Sequence, residues 1–328
     1  MKIGYALSSE EHPPLDLVRA ARLAEEAGFG FALISDHFHP WIDRQGHSAF
    51  VWSVIGGIAV STSDLRLGTG VTCPTIRIHP AIIAQAAATA AAMLPGRFFL
   101  GLGTGENLNE HILGDRWPSA AERREMLREA VTVMRGLWEG ELYSFQGTYY
   151  KVDNARIYTL PREDVELAVA AGGPESAELA AELGAALVAT APEAELIERY
   201  VKAGGTGPRY GQLTVCWSTS ESEARATALE WWPNAALQGP LGQELPLPSH
   251  FEQATAMVTE DDVAESVVCG PDPGAHLEAL EAFAEAGFDH VYVHQVGPDQ
   301  AGFIEFYASE VVPEARELTP RVRRARAA

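Results

Sequence analysis

Cysteine is scarce in this chain of 328 residues, which contains only Cys73, Cys216 and Cys269. The three lie far apart and lack metal-ligand spacing, so they fit reduced thiols better than a disulfide framework. Long apolar runs are missing too, since no segment reaches the roughly 18 apolar residues that a membrane helix needs. The first residues lack the basic and apolar regions of a signal peptide. We therefore expect a cytoplasmic protein with no membrane partner.

Positive charge is also in short supply, with 24 Lys and Arg against 45 Asp and Glu and a net charge of −21. Nucleic-acid binding needs clustered cations. The one basic cluster is the tail, residues 321–328, which we expect to be a solvated terminus rather than a binding arm. We therefore predict no nucleic-acid partner. Hydrophobic residues make up 47% of the chain, which is typical of a packed globular protein rather than a disordered one.

Short apolar runs alternate with stretches of helical period along nearly the whole chain, and this pattern predicts eight strands joined by helices. We place the strands at 2–7, 31–35, 65–71, 97–102, 166–171, 186–190, 213–218 and 290–294. Parallel strands need such crossovers, and eight of them favour a (β/α)₈ TIM barrel over the alternative, a doubly wound open sheet. We predict one domain over residues 1–320, with excursions at about 140–160 and 232–258.

Active sites of such barrels lie where strands end, so the residues that follow each strand are the functional candidates. Asp36 and His37 follow the second strand, with Trp41 nearby. Histidine is a common general base near neutral pH, and an aromatic side chain can exclude water around it. A loop with a capping Asp36 and an exposed His37 is the other interpretation.

Glycine-rich segments follow three further strands. Gly68 and Gly70 lie at the end of the third strand, where a simple turn is the alternative. The fourth ends in a Gly-x-Gly-x-Gly loop with Glu106, which is not a dinucleotide fingerprint because we expect no helix directly after it. Glu106 is either a buried acid or a solvated carboxylate. Gly172 and Gly173 open a helix, where free N–H groups favour a phosphate, or form a bare turn.

No catalytic elbow, Walker loop or metal-binding motif occurs. Asp36 and His39 have ligand-like spacing, but no cluster completes a site, and we predict no metal. Residue chemistry alone therefore indicates a barrel enzyme with a histidine, a glutamate and a phosphate loop.

The runs Ser-Asp-His-Phe at 35–38 with Pro-Trp at 40–41, Gly-Thr-Gly-Glu at 103–106 with Asn-Glu at 109–110, and Ala-Gly-Gly-Pro at 171–174 resemble the luciferase-like barrel superfamily. Within it, the chain is most similar to the F420-dependent glucose-6-phosphate dehydrogenase family. The similarity runs from residue 2 to about residue 318, and the three motifs occur in order at strand ends.

The resemblance implies coenzyme F420, an 8-hydroxy-5-deazaflavin, as the cofactor of a hydride-transferring oxidoreductase that forms a homodimer. It assigns substrate chemistry to His37 and Trp41 and the ring proton to Glu106. It also implies contacts of the chain with the cofactor ring, side chain and phosphate, and a non-prolyl cis peptide at Gly70-Val71. The implied cofactor-binding residues are Asp36, Gly70, Val71, Thr104, Gly105, Asn109, Gly172, Gly173 and Pro174. Arg77 is a possible cationic helper for the phosphate.

The chain departs from this family where a sugar phosphate would bind. The family places cations there, whereas an approximate alignment puts Glu193, Gln253 and Ser266 at those positions, and Glu193 would repel a phosphate. We therefore predict an uncharged or bulkier alcohol/carbonyl substrate rather than glucose 6-phosphate. The alternatives are an FMN-dependent monooxygenase, a non-redox hydrolase using His37 and Glu106, and a non-catalytic F420-binding protein.

Overall fold

The computed structural model describes residues 1–237 and 239–321, so all but the first residue of the basic tail lies outside the described residues. The strands are β1 (Lys2–Leu7), β2 (Phe31–Ile34), β3 (Arg66–Thr69), β4 (Phe98–Leu102), β5 (Tyr143–Gln146), β6 (Lys151–Ala155), β7 (Glu166–Ala170), β8 (Ala186–Ala189), β9 (Arg209–Cys216), β10 (Val268–Cys269) and β11 (His290–Gln295). The α-helices are α1 (Pro14–Glu26), α2 (Val51–Ser61), α3 (Pro80–Met93), α4 (Asn107–Glu110), α5 (Ala120–Trp138), α6 (Pro174–Glu182), α7 (Ala194–Lys202), α8 (Glu221–Trp231), α9 (Leu241–Glu244), α10 (Pro248–Ala254), α11 (Glu260–Ala264), α12 (Pro273–Ala286), α13 (Gln300–Phe306) and α14 (Val312–Ala315).

Eight parallel strands close into a barrel in the order β1, β2, β3, β4, β7, β8, β9 and β11. Pairing of β8 with β9 and of β11 with β1 leaves no open edge among these eight strands. The predicted TIM barrel is therefore confirmed, and the open sheet is wrong. None of the described helices is both long enough and apolar enough to span a bilayer.

Large side chains fill the barrel interior. Phe31, Phe99, Tyr210 and Tyr292 belong to one buried cluster, and the rings of Phe99 and Tyr210 stack with centroids 5.1 Å apart. Gly68 makes room for this packing, because a Cβ there would lie 2.2 Å from the Phe99 ring. Since the interior is packed, a ligand must bind at a barrel end.

Two segments lie outside the regular alternation of barrel strands and helices. β5 and β6 form an antiparallel hairpin outside the barrel, and the described residues between 232 and 258 include the short helices α9 and α10. The two-residue strand β10, which extends the sheet beside β9, was not predicted because two residues carry no periodicity.

One prediction about the glycine loop is wrong, because α4 begins immediately after Glu106. This helix has a single turn, which is too short to show a helical repeat in the sequence. The last helical region of the chain is divided, since the π-helical segment Tyr307–Val311 separates α13 from α14. Pro313 follows this segment and has no N–H to donate to a regular helical ladder.

Candidate active site

His37 lies at the carboxyl end of β2 with only 9% of its side chain exposed. Its Nδ1 is 3.2 Å from the carbonyl oxygen of His39, so Nδ1–H is the donor in that contact. Its Nε2 lies 3.3 Å from Oε1 of Glu10 and 3.7 Å from Oε2 of Glu106. Nε2 is therefore the nitrogen that can exchange a proton, and two carboxylates stabilise the proton it gains.

Glu10, in the loop after β1, is a site residue that the sequence analysis missed. It is 2% exposed and accepts hydrogen bonds from the hydroxyls of Ser8 and Ser35. Burial opposes its ionisation, but His37 and the Ser35 hydroxyl outweigh that effect and lower its pKa. Its place directly after a barrel strand was the available signal, because strand ends form the active-site rim.

Trp41 packs beside the histidine, with the two ring centroids 5.0 Å apart. Its other contact is an edge-on one with Phe251 of α10, at 5.2 Å. The backbone N–H of Trp41 donates to the side-chain oxygen of Gln45. The side-chain NH₂ of Gln45 donates in turn to the Trp231 carbonyl. Phe251 of α10 and the link through Gln45 to the end of α8 thus hold the tryptophan beside His37, where it can exclude water.

Asn109 of α4 connects two of the predicted site loops. Its Oδ1 accepts from the backbone N–H groups of Phe38 and His39, and its Nδ2 donates to Glu106 at 3.1 Å. Asn109 is 2% exposed, whereas the Glu106 side chain is 33% exposed. The amide therefore orients Glu106, which itself reaches the open side of the pocket.

Asp36 is buried beneath this loop rather than displayed at its surface. Its carboxylate accepts from the Thr72 hydroxyl and from Arg77, each at 2.8 Å. The Arg77 backbone N–H donates to Glu110, and the guanidinium Nε is 3.6 Å from the same carboxylate. These bonds link the ends of β2, β3 and β4.

The Arg77 side chain is only 6% exposed. Burial acts against its charge, but Asp36 and Glu110 prevail and raise its pKa. Because its guanidinium is bound to Asp36 beneath the loops, the suggestion that it helps to bind a phosphate is not supported by its position.

The peptide bond between Gly70 and Val71 is cis, as the family resemblance implied. The segment after it is bonded to the fourth strand, since Thr72 N–H donates to the Gly101 carbonyl at 2.8 Å. Gly105 has a φ of +82°, and a Cβ there would lie 2.7 Å from the Cys73 sulfur. Only glycine suits position 105, because it tolerates a positive φ and has no Cβ to clash with the sulfur. Thr104, which precedes it, is partly exposed beside Glu106.

Gly172 and Gly173 form the turn between β7 and α6, which begins with Pro174. Among the described residues, and apart from those that adjoin each glycine, a Cβ on Gly172 would have within 4 Å the Nε2 of Gln243 at 3.9 Å, and one on Gly173 would have the carboxylate of Glu175 at 3.8 Å. The backbone of the turn is therefore approachable. The first amides of α6 point along the positive end of the helix dipole, where an anion is favoured.

A second acid–histidine pair lies next to the first. Glu11 contacts the Nε2 of His294 at 2.7 Å and accepts from the Gly297 N–H at 2.9 Å. Both partners are almost fully buried, and the Trp232 ring packs edge-on against His294. Glu10 and Glu11 thus join β1 to both of its barrel neighbours, β2 and β11.

The geometry brings His37, Trp41, Glu106 and Glu10 to one place, where a proton can move between a histidine and flanking carboxylates. The predicted Gly172 turn lies at another strand end of the same barrel face. Across residues 1–237 and 239–321, no group of three His, Cys, Asp or Glu side chains is arranged to hold a metal ion.

Comparisons with known proteins find relatives over most of the chain. A family model described as luciferase-like monooxygenase matches residues 1–290. An F420-dependent hydroxymycolic acid dehydrogenase of Mycobacterium tuberculosis is 38% identical, over 96% of this chain and 88% of its own length. An F420-dependent glucose-6-phosphate dehydrogenase of Beutenbergia cavernae is 35% identical, over 96% of this chain and 98% of its own.

Solved structures show the same similarity. An F420-dependent secondary alcohol dehydrogenase in complex with an F420–acetone adduct superposes with a TM-score of 0.88 and 30% identity, covering 96% of this chain and 99% of that one. An F420-dependent tetrahydromethanopterin reductase from Methanopyrus kandleri has a TM-score of 0.77 over the same share of this chain and 99% of its own, at 21% identity. That second likeness concerns the fold alone.

Proposed function

We propose, from the fact that this chain belongs to the luciferase-like monooxygenase family, that it is an F420-dependent oxidoreductase acting on an alcohol or carbonyl group. The observation that carries the proposal is His37 Nε2 between Glu10 and Glu106 at the mouth of the barrel. Relatives at 35% and 38% identity are named F420-dependent dehydrogenases, which supports this cofactor over FMN.

The residues present fit such a cofactor. The Gly172-Gly173 turn offers approachable backbone to a phosphate, and a Cβ at either glycine would reduce that access. Val71, Thr104 and Gly105 line the rim where a planar ring would lie, and Asp36 and Asn109 hold that rim from below. Pro174 starts the helix whose dipole favours the phosphate.

When bound, F420 supplies carbon 5 of its deazaflavin ring as the hydride acceptor or donor. His37 takes the hydroxyl proton at Nε2 as the alcohol is oxidised, and Glu10 stabilises the resulting imidazolium. Glu106, which Asn109 orients, exchanges a proton with the cofactor ring. Trp41 excludes water from this exchange, so the proton stays within the site.

The substrate is an uncharged alcohol/carbonyl pair rather than glucose 6-phosphate. Trp41 lies in an apolar cluster with Ile42, Leu108, Phe251, Leu237 and Leu245. Glu193, Gln253 and Ser266, where the sugar-phosphate enzymes carry cations, are all exposed and none is basic. An apolar wall without added cations favours an uncharged carbon chain.

The protein acts as a cytoplasmic homodimer. Neither α2 nor α3 contains a charged residue, although the chain carries a net charge of −21. Phe50, Ile82 and Met93 are large apolar side chains exposed along these helices, on either side of a groove. A second copy of the same charge-free surface buries these side chains without juxtaposing like charges. The three unpaired thiols support a reducing compartment.

One experiment tests the cofactor assignment. Purified protein is titrated separately with F420 and with FMN, and cofactor absorbance and fluorescence are followed. F420 is expected to bind and to be reduced when a secondary alcohol is added. Tight binding of FMN alone would overturn the assignment, and F420 binding without turnover of any alcohol or carbonyl would favour a carrier protein.

A further inference from the structure

Arg123, in the first turn of α5, is a buried cation with little to balance it. It is 1% exposed, and its guanidinium lies 4.0 Å above the Trp117 ring. Its Nη1 donates to the Pro118 carbonyl at 2.7 Å, while its Nε has no hydrogen-bond partner within the described parts of the chain. The carboxylate of Glu244 is 3.8 Å away and half exposed. A buried charge is costly unless it is closely paired.

The remaining contact of Arg123 fixes the orientation of a glutamine. Its Nη2 donates to Oε1 of Gln243, on the short helix α9, at 3.1 Å. Because only the amide oxygen can accept from a guanidinium, the NH₂ group of Gln243 must face the other way. That Nε2 lies 3.9 Å from a Cβ built on Gly172, and no other atom of the described, non-adjoining residues comes within 4 Å of it. Two hydrogen-bond donors are thereby directed toward the Gly172 turn.

The turn itself has an opposing charge that an anion would meet. The carboxylate of Glu175 lies 3.8 Å from a Cβ built on Gly173. Backbone amides alone would have to hold an anion against this carboxylate. A side-chain donor polarised by a buried guanidinium strengthens the site on the opposite side of the turn.

We propose that Gln243 is a direct binding residue for the phosphate of the cofactor, and that Arg123 is the positioning residue that aims it. The inference rests on the proposed function, because it takes F420 as the ligand whose phosphate reaches Gly172 and Gly173. It adds a side-chain donor from the second excursion to a site that otherwise consists of backbone. It also assigns a role to the buried guanidinium, whose positive charge the bound phosphate would partly balance.

The test compares two ligands that share a ring. The first is F420, and the second is 8-hydroxy-5-deazariboflavin, which has the same deazaflavin and ribityl chain but no phosphate. Dissociation constants are measured by fluorescence for the wild type, Gln243→Glu and Gln243→Met. Glu244→Gln is the matched control, since it changes the neighbouring residue and removes a carboxylate near Arg123.

Both Gln243 variants are expected to weaken F420 binding by about 10-fold or more, because a hydrogen bond to a charged group contributes about 1.5–3 kcal/mol. The Gln243→Glu variant should bind F420 more weakly than Gln243→Met does, since its carboxylate would repel the phosphate. Binding of the phosphate-free ligand should change by less than about 2-fold, within the accuracy of such comparisons. Glu244→Gln should bind F420 at least as tightly as the wild type.

Equal losses for both ligands, or no loss for F420 in either variant, would overturn the role of Gln243. The melting temperature of each unliganded variant separates a folding defect from a binding defect, and Gln243→Met serves if Gln243→Glu is unstable. Arg123→Lys keeps the charge but removes the guanidinium fork, and it should lower F420 affinity alone. If the wild type itself binds FMN and not F420, the proposed function fails rather than this inference.

Discussion

The Nε2 atom of His37 lies 3.3 Å from Oε1 of Glu10, and both side chains are almost completely buried. His37 comes from the loop after β2 and Glu10 from the loop after the neighbouring strand β1. The pairing places a base next to a carboxylate whose pKa is lowered by His37 and Ser35 despite its burial. We therefore expect proton transfer at His37 to depend on a residue 27 positions earlier in the chain.

Replacing Glu10 by Gln should lower kcat by about 100-fold or more, since an anion that supports general acid–base catalysis is lost. Cofactor affinity should stay near the wild-type value, because Glu10 faces His37 and two serines. Steady-state kinetics and fluorescence titration measure the two effects. Glu11→Gln is the matched control, because Glu11 contacts His294 instead, and its kcat should fall far less. Equal losses of kcat in the two variants would contradict the role of Glu10.

The stability of the protein should depend on pH through Glu110. Burial raises the pKa of this carboxyl above its ordinary value of 4.5, and contacts with Arg77 oppose the shift only partly. The folded state thus holds the Glu110 proton more tightly than the unfolded state. Protonated Glu110 therefore contributes to stability at pH values below its ordinary pKa, and this contribution is lost as the pH rises through its raised pKa.

Glu110→Gln lacks this titration, while its amide oxygen can still accept the Arg77 N–H. The free energy of unfolding is measured with urea at about pH 4.5 and about pH 8. The variant's value minus the wild-type value should be larger at about pH 8 than at about pH 4.5. An identical difference between the two proteins at both pH values would show that Glu110 does not titrate in this way.

A simple secondary alcohol should be oxidised with a kcat/KM at least about 10-fold above that for glucose 6-phosphate, which corresponds to about 1.4 kcal/mol. Exposed Glu193 contributes to the difference by repelling the phosphate. Glu193→Lys should raise kcat/KM for the sugar phosphate by a few-fold, as expected for about 1 kcal/mol between solvated charges. Glu198→Lys makes the same charge change further along α7 and should have a smaller effect. Efficient turnover of glucose 6-phosphate by the wild type would refute this assignment.

The proposed homodimer should depend on the charge-free surface of α2 and α3. Ile82 is 57% exposed on this surface, and a buried glutamate there would lack a partner. Ile82→Glu should therefore elute as a monomer in size-exclusion chromatography with light scattering. Leu142→Glu changes a similarly exposed leucine, 66% accessible near the β5–β6 hairpin, and should remain a dimer. A dimeric Ile82→Glu protein would place the interface elsewhere.

Much of the barrel was predictable because its helices and strands follow local rules. β1 has the predicted bounds, and the buried residues of α5 recur with the period of a helix. The predicted strand before α8 began four residues late, at Leu213 rather than Arg209. Its first residues include Tyr210 and Gly211, whose suitability for a strand depends on packing inside the barrel.

The site was predicted only in part. His37, Trp41 and Glu106 were identified by their position after strands and by family motifs, and the structure brings the three together. Glu10 was missed because nothing in Ser-Ser-Glu-Glu distinguishes a buried carboxylate from a solvated one. The bonds of Asn109 to Phe38, His39 and Glu106 were not predicted, because they join residues far apart in the sequence, and its contact with the cofactor stays a prediction.

The sequence by itself determined the alternation of strands and helices and the glycine at position 105, because periodicity and backbone freedom are local properties. Its acidic composition indicated only that the net charge of the chain does not attract polyanionic partners. Tertiary structure decided which charges meet. It directed Arg77 to Asp36, buried Arg123 beside Gln243 and placed Glu10 against His37, since such contacts form only when distant strands close into one barrel.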